Sequence, residues 1–221
     1  MDLEILLIPG LGFDDRIFSR LDLGKIPKSY LNWIEPEPKE SLDDYARRMF
    51  RPSERKSTRK ILIGYSFGGV ISQEISRQFE IDHIILVSSI KSRRENTTFF
   101  RMIAKTGAHN LFSKELALKT LPFWAKSPGL KAPEARNLIK SMVSDRSNTY
   151  LRWALKELSH RKADNTGNEN ITQIHGDLDK TFPIHRISAP DHIISGGDHF
   201  MVYSRAREIT DIIMSIVQPM R

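Results

Sequence analysis

The chain has 221 residues, a net charge of +7 and no cysteine, which excludes disulfides, thiol nucleophiles and thiolate metal sites. It contains no uninterrupted apolar run of the roughly 18 residues that a membrane-spanning helix requires, and Met1-Asp2-Leu3-Glu4-Ile5 opens directly into a strand pattern rather than a basic signal flank. These features predict a soluble, cytoplasmic protein of one domain over residues 1–221, with no linker or internal repeat dividing it.

Leu3-Glu4-Ile5-Leu6-Leu7-Ile8 is a near-continuous apolar run stopped by Pro9-Gly10, the pattern of a parallel strand covered on both faces. Asp14 or Asp15 is placed to cap a helix over residues 16–21, and a short strand is predicted over 30–34, ending at Glu35-Pro36. Ser41 starts the next helix, which runs to about Phe50, with Asp44 where a capping box carries Glu or Gln. Strands then follow at 60–63, 83–87, 171–175 and 192–194, with an amphipathic helix over 70–79 and a last one near 203–217. Alternating strands and helices predict an α/β fold with a mostly parallel sheet flanked by helices. Residues 92–165 break that alternation: they are helical in pattern, interrupted by Pro122, Pro128 and Pro133, and read as a helical cap inserted between two sheet strands.

Between the 60–63 strand and the helix after it lies Gly64-Tyr65-Ser66-Phe67-Gly68-Gly69. A serine between two glycines at a strand-to-helix junction has the form of a nucleophile elbow. Aiming the hydroxyl outward demands a positive φ at the serine, and side chains two residues before and after it would collide across the bend. The following helix points its free N–H groups at the serine, so the Phe67 amide becomes a donor for negative charge developing there. The stretch is no phosphate-binding loop, because Gly68-Gly69-Val70 stands where such a loop needs Lys followed by Ser or Thr.

A serine hydroxyl needs a base, and the base a carboxylate to orient it. Of the seven histidines, His199 lies in the glycine-rich segment Ser195-Gly196-Gly197-Asp198-His199 just after the last strand, placed to lean over the strand ends. The loop after the preceding strand, Gly176-Asp177-Leu178-Asp179, offers two carboxylates. Either supplies the order Ser, Asp, His along the chain. A lone Asp-x-Asp is weak as a metal site, and neither metal nor cofactor is expected.

Taken together, these parts resemble the α/β-hydrolase superfamily, over nearly the whole chain from Pro9-Gly10-Leu11-Gly12 to His199. In many members the acid stands three residues after a glycine and four before a proline; Gly176, Asp179 and Pro183 match, so the resemblance selects Asp179 and makes Asp177 the fallback. Some members place the acid after the strand that follows the elbow strand, where this chain has Ser88-Ser89. Members commonly carry His-Gly after the first strand; here Pro9-Gly10 replaces it, leaving the Leu11 amide as the implied second oxyanion donor beside Phe67. The chain also begins at what resembles the third strand of larger members, implying a compact version.

The implied activity is hydrolysis of a small-molecule ester or thioester through an acyl-enzyme, as in carboxylesterases and thioesterases. A non-hydrolytic or C–C bond-cleaving relative and a non-catalytic binding module are the alternatives on the same scaffold. Tyr65 and Phe67, flanking the nucleophile, are candidate substrate contacts. Phe99, Phe100, Met102, Ile103, Phe112, Phe123, Trp124 and Trp153 are candidates for an apolar acyl pocket, though packing of the cap against the sheet is the better account of each. Arg93 and Arg94 are placed to meet a carboxylate or phosphate. The remaining basic clusters (Arg47-Arg48, Arg51, Arg55-Lys56, Arg59-Lys60) interleave with few aromatics and read as solvated helix ends and loops, so no nucleic-acid partner is expected.

Overall fold

A computed structural model of the chain describes residues 3–50, 59–124, 126–161 and 170–220. The basic residues Arg51, Arg55 and Lys56, the Trp124 side chain and the expected end of the helical insertion near residue 165 lie outside the described residues.

Six strands form one sheet: β1 (Leu3–Ile8), β2 (Lys28–Tyr30), β3 (Arg59–Tyr65), β4 (His83–Val87), β5 (Ile171–Gly176) and β6 (His192–Ile194). Their order is β2-β1-β3-β4-β5-β6, and every pairing is parallel. In register, Ile8 stands beside Gly64, Tyr65 beside Val87, and Gly176 beside Ile194. The C-terminal ends of β1, β3, β5 and β6 therefore share one edge of the sheet, where an open α/β sheet collects its functional loops.

The apolar runs of the central strands divide between two cores. Ile5, Leu7, Ile61, Ile63 and Ile85 point to one face, where helix α8 (Ala206–Val217) contributes Ile209 and Ile213. Leu6, Ile8, Leu62, Ile84 and Leu86 point to the other, against helices α1 (Leu42–Met49) and α2 (Phe67–Ser76). This is the period-2 alternation of strands buried on both faces.

The stretch between β4 and β5 holds α3 (Thr98–Thr106), α4 (Lys114–Trp124), α5 (Pro133–Ser144) and α6 (Asn148–Ser159). Hydroxyls of Thr97 and Ser147 accept the first-turn amides of α3 and α6, Gly107 ends α3 in the left-handed conformation, and Pro133 opens α5 at the position that needs no amide. None of the described helices is long and apolar enough to cross a membrane.

Three elements differ from the sequence expectation. The helix expected over 16–21 is a single 3-10 turn, Asp15–Phe18, capped by Asp14. The strand expected over 30–34 instead occupies 28–30: the Leu31 amide still reaches the Leu7 carbonyl, but both main-chain groups of Ile34 are taken by the Tyr45 hydroxyl, which turns the chain away from the sheet. The final helix is broken at Arg205 (φ −118°, ψ 32°), separating α7 (Met201–Ser204) from α8. The Arg205 guanidinium there binds the Ser195 carbonyl and Glu208.

Candidate active site

Ser66 sits at the β3–α2 junction with φ 54° and ψ −118°, a conformation that costs an L-residue energy and persists only where its surroundings enforce it. The enforcement is steric. A side chain at Gly64 would run into Gly69, Ser72 and the Gly68 carbonyl, and one at Gly68 into the Ile8 and Pro9 carbonyl oxygens. The first turn of α2 consequently rests on the end of β1, with the Ile8 and Pro9 carbonyls against Gly68. The Ser89 hydroxyl holds the Ser66 carbonyl at 2.7 Å.

His199 and Asp179 reach this serine from the loops after β6 and β5. The two loops pack so closely that a side chain on Gly176 would meet the Gly197 carbonyl. His199 Nδ1 donates to Asp179 Oδ2 at 2.8 Å, and its Nε2 accepts from Ser66 Oγ at 3.0 Å. A carboxylate only accepts, so its position assigns the ring proton to Nδ1 and leaves the Nε2 lone pair facing the hydroxyl. Asp179 Oδ1 also accepts from the Thr181 and Phe182 amides at 2.8 and 2.9 Å, so the carboxylate is held at both oxygens. Ser66 is 6 % and His199 8 % exposed, while Asp179 is buried.

Asp177, the other carboxylate of that loop, accepts from the Gly196 amide at 2.7 Å and is exposed. Asp198, beside the histidine, accepts instead from the Phe200 and Gly129 amides and the Ser127 hydroxyl, tying its loop to the residues before α5.

Two side chains that sequence reading passed over support the site. Trp33, read only as a strand residue, donates from Nε1 to the Gly10 carbonyl at 3.0 Å and stacks on Phe67 at 5.4 Å between ring centres. The Gly10 carbonyl also accepts from the Phe13 amide. Carbonyl and amide of one trans peptide point in opposite directions, so anchoring the Gly10 oxygen aims the Leu11 N–H the other way.

His175, at the end of β5, is fully buried. It donates from Nε2 to the Phe182 carbonyl at 2.8 Å, with Asp179 Oδ2 at 3.6 Å, and so braces the loop that carries Asp179. Burial lowers its pKa, with Asp179 opposing, and its Nδ1 finds no partner among the described residues. Neither role has a local signal, because each depends on a partner supplied by another part of the fold.

The remaining candidates separate. Tyr65 and Phe67 are fully buried: the Tyr65 ring lies 5.5 Å from that of His199 and 6.0 Å from that of Phe13, packed beneath the site. Burial drives the Tyr65 phenol pKa well upward. Phe100, Ile103 and Trp153 are buried in the second core and Phe112 is partly buried, whereas Phe99, Met102 and Phe123 face solvent. Phe100 packs on Phe182, which in turn meets the His199 ring edge-on at 5.6 Å. Arg93 and Arg94 line a cleft with Asn96, Arg101, Ser159 and Arg161 that includes none of Ser66, Asp179 or His199.

Among solved structures the chain is similar to a bromoperoxidase from Bacillus anthracis (14 % identity, 99 % of this chain and 92 % of that one, TM-score 0.73). It is also similar to an esterase from Exiguobacterium antarcticum (12 %, 98 % and 92 %, 0.73). A lipase-esterase related protein from Clostridium acetobutylicum matches at 14 % identity, over 97 % and 94 %, with a TM-score of 0.70. The chain has the α/β-hydrolase fold. No family model matches the sequence, and no curated protein does. At these identities the α/β-hydrolase likeness fixes architecture alone, so what the site does rests on its own chemistry.

Proposed function

We propose that the chain is a serine hydrolase that cleaves an ester or thioester through an acyl-enzyme on Ser66. The observation that carries this reading is the unbroken hydrogen-bond chain from Ser66 Oγ through His199 to Asp179, on a serine whose backbone is held at positive φ. His199 Nε2 takes the hydroxyl proton as Oγ attacks the acyl carbon, and Asp179 stabilises the imidazolium that forms. The Phe67 and Leu11 amides receive the negative charge on the former carbonyl oxygen. The imidazolium returns its proton to the departing alcohol or thiol. Water, deprotonated by the same histidine, then releases the acid and regenerates Ser66.

The esterases that share the fold support hydrolysis as the reaction class. In this reading the helices between β4 and β5 form a cap inserted into a single domain. They abut the loop after β1, where Val143 and Leu151 flank Gly12, and they bind the His199 loop through Gly129. A panel of p-nitrophenyl esters and acyl-CoA thioesters tests the proposal: turnover of at least one class is expected, and Ser66→Ala must lose it. Equal turnover by the Ser66→Ala protein would exclude the mechanism.

A further inference from the structure

Among the described residues, eight large apolar side chains are exposed, and five of them, Phe99, Met102, Leu111, Leu116 and Phe123, fall within one stretch of α3, α4 and their connection. Elsewhere in the fold such residues are scattered singly, as on any soluble surface. Here each helix buries one face, α3 through Phe100 and Ile103 and α4 through Ala117, and turns further apolar groups outward. α3 packs on α6 and the second core and α4 on α5 and the first, and apolar groups left outward on successive helices mark an interaction surface.

Its charge indicates the partner. Between Asn96 and Lys131 the sequence carries six Lys and Arg against the single acid Glu115, so this stretch alone holds a net +5 of the chain's +7. Arg101, Lys105, Lys119 and Lys126 are exposed among the apolar groups, and the Lys126 ammonium lies 5.9 Å from the Phe123 ring centre. Arg101 also lines the cleft of about 350 Å³ that holds Arg93, Arg94 and Arg161. Two copies joined through this face would oppose like charges. An anionic lipid surface takes both components at once, apolar rings among the acyl chains and ammonium groups at the headgroups.

We propose that the outer faces of α3 and α4 dock this protein on anionic lipid surfaces. The inner side of the same stretch adjoins the proposed site, with Phe100 against Phe182 beside His199 and Gly129 bound to Asp198. Docking would therefore hold the nearly closed Ser66 site at the lipid boundary. It follows, on the hydrolase reading above, that the substrate is a lipid-dissolved acyl ester; the docking itself does not depend on that reading.

Co-sedimentation with unilamellar vesicles tests the proposal. The protein is expected to pellet with equimolar phosphatidylglycerol–phosphatidylcholine vesicles, to stay in the supernatant with pure phosphatidylcholine, and to be released by about 0.5 M salt, where exposed charges are screened. Phe99→Ser and Phe123→Ser should each weaken partitioning about tenfold, and Lys105→Glu with Lys119→Glu should abolish it. All of these sites are exposed, so the thermal melt should not move. Ser66→Ala should bind vesicles like the unsubstituted protein, which separates a failure of docking from a failure of the hydrolase reading. Absence from the phosphatidylglycerol vesicle pellet would overturn the proposal. So would a dimer in sedimentation velocity that Phe99→Ser dissociates, because the face would then belong to a second copy.

Discussion

Replacing Trp33 by phenylalanine isolates one hydrogen bond. The phenyl ring keeps the stack on Phe67, while the 3.0 Å bond from the indole N–H to the Gly10 carbonyl is lost. The Gly10 oxygen retains the Phe13 amide, so the Gly10–Leu11 peptide becomes looser without being released. Removing an oxyanion donor outright costs about 10²–10³ in rate, whereas losing one neutral buried hydrogen bond costs roughly 1 kcal/mol. The expected loss is therefore about fivefold in kcat, with KM within about twofold because the ground-state carbonyl gains little from the Leu11 amide. Initial rates on the best ester of the panel measure both quantities. Tyr45→Phe is the packing control: it removes the hydroxyl that binds Ile34 in the same aromatic cluster and should lower the melting temperature while leaving kcat alone. An unchanged kcat in a folded Trp33→Phe protein would remove the Gly10–Leu11 peptide from transition-state binding.

Asp179→Asn should lower kcat by about 10³–10⁴, since an amide in place of the carboxylate no longer holds the Nδ1 proton on His199; a loss below about tenfold would assign the carboxylate elsewhere. Gly68→Ala should prevent a stable fold, because the added methyl meets the Ile8 and Pro9 carbonyl oxygens. Gly24→Ala meets nothing nearby and is strained only by its φ of +59°, for a cost of about 1 kcal/mol, so comparable melting temperatures for the two would contradict the packing argument. His175 is held neutral by burial, its pKa lowered in the fold, so on acidification the unfolded chain binds its proton first. The stability it supports is present above the ordinary histidine pKa of about 6.5 and is lost as pH falls below it. His175→Asn should therefore flatten the decline in melting temperature between about pH 7 and pH 5, and an unchanged slope would show that this imidazole does not titrate on unfolding.

The elbow was legible because its chemistry is local: Gly64 and Gly68 act on atoms within a few residues of Ser66 or on the adjacent strand end, and the apolar runs around them carry the strand and helix periods openly. The parallel sheet followed from the same runs. The order Ser66, Asp179, His199 was legible only with a family spacing in hand, since Asp177 and Asp179 are chemically alike and differ in which one faces β6 and which one His199. Trp33 and His175 stayed hidden because each acts on a peptide carbonyl, Gly10 or Phe182, and every residue offers one. The outward side chains of Phe99, Met102 and Phe123 look like pocket residues in sequence, because a helical period does not state which face meets the protein.

The central claim is that Ser66 is an activated nucleophile, and intact-mass measurement after incubation with a fluorophosphonate tests it most directly. The account predicts a single phosphonyl adduct, mapped to the peptide containing Ser66, absent from Ser66→Ala and formed far more slowly in His199→Ala. A folded protein that stays unlabelled, or an adduct that persists in Ser66→Ala, would contradict it.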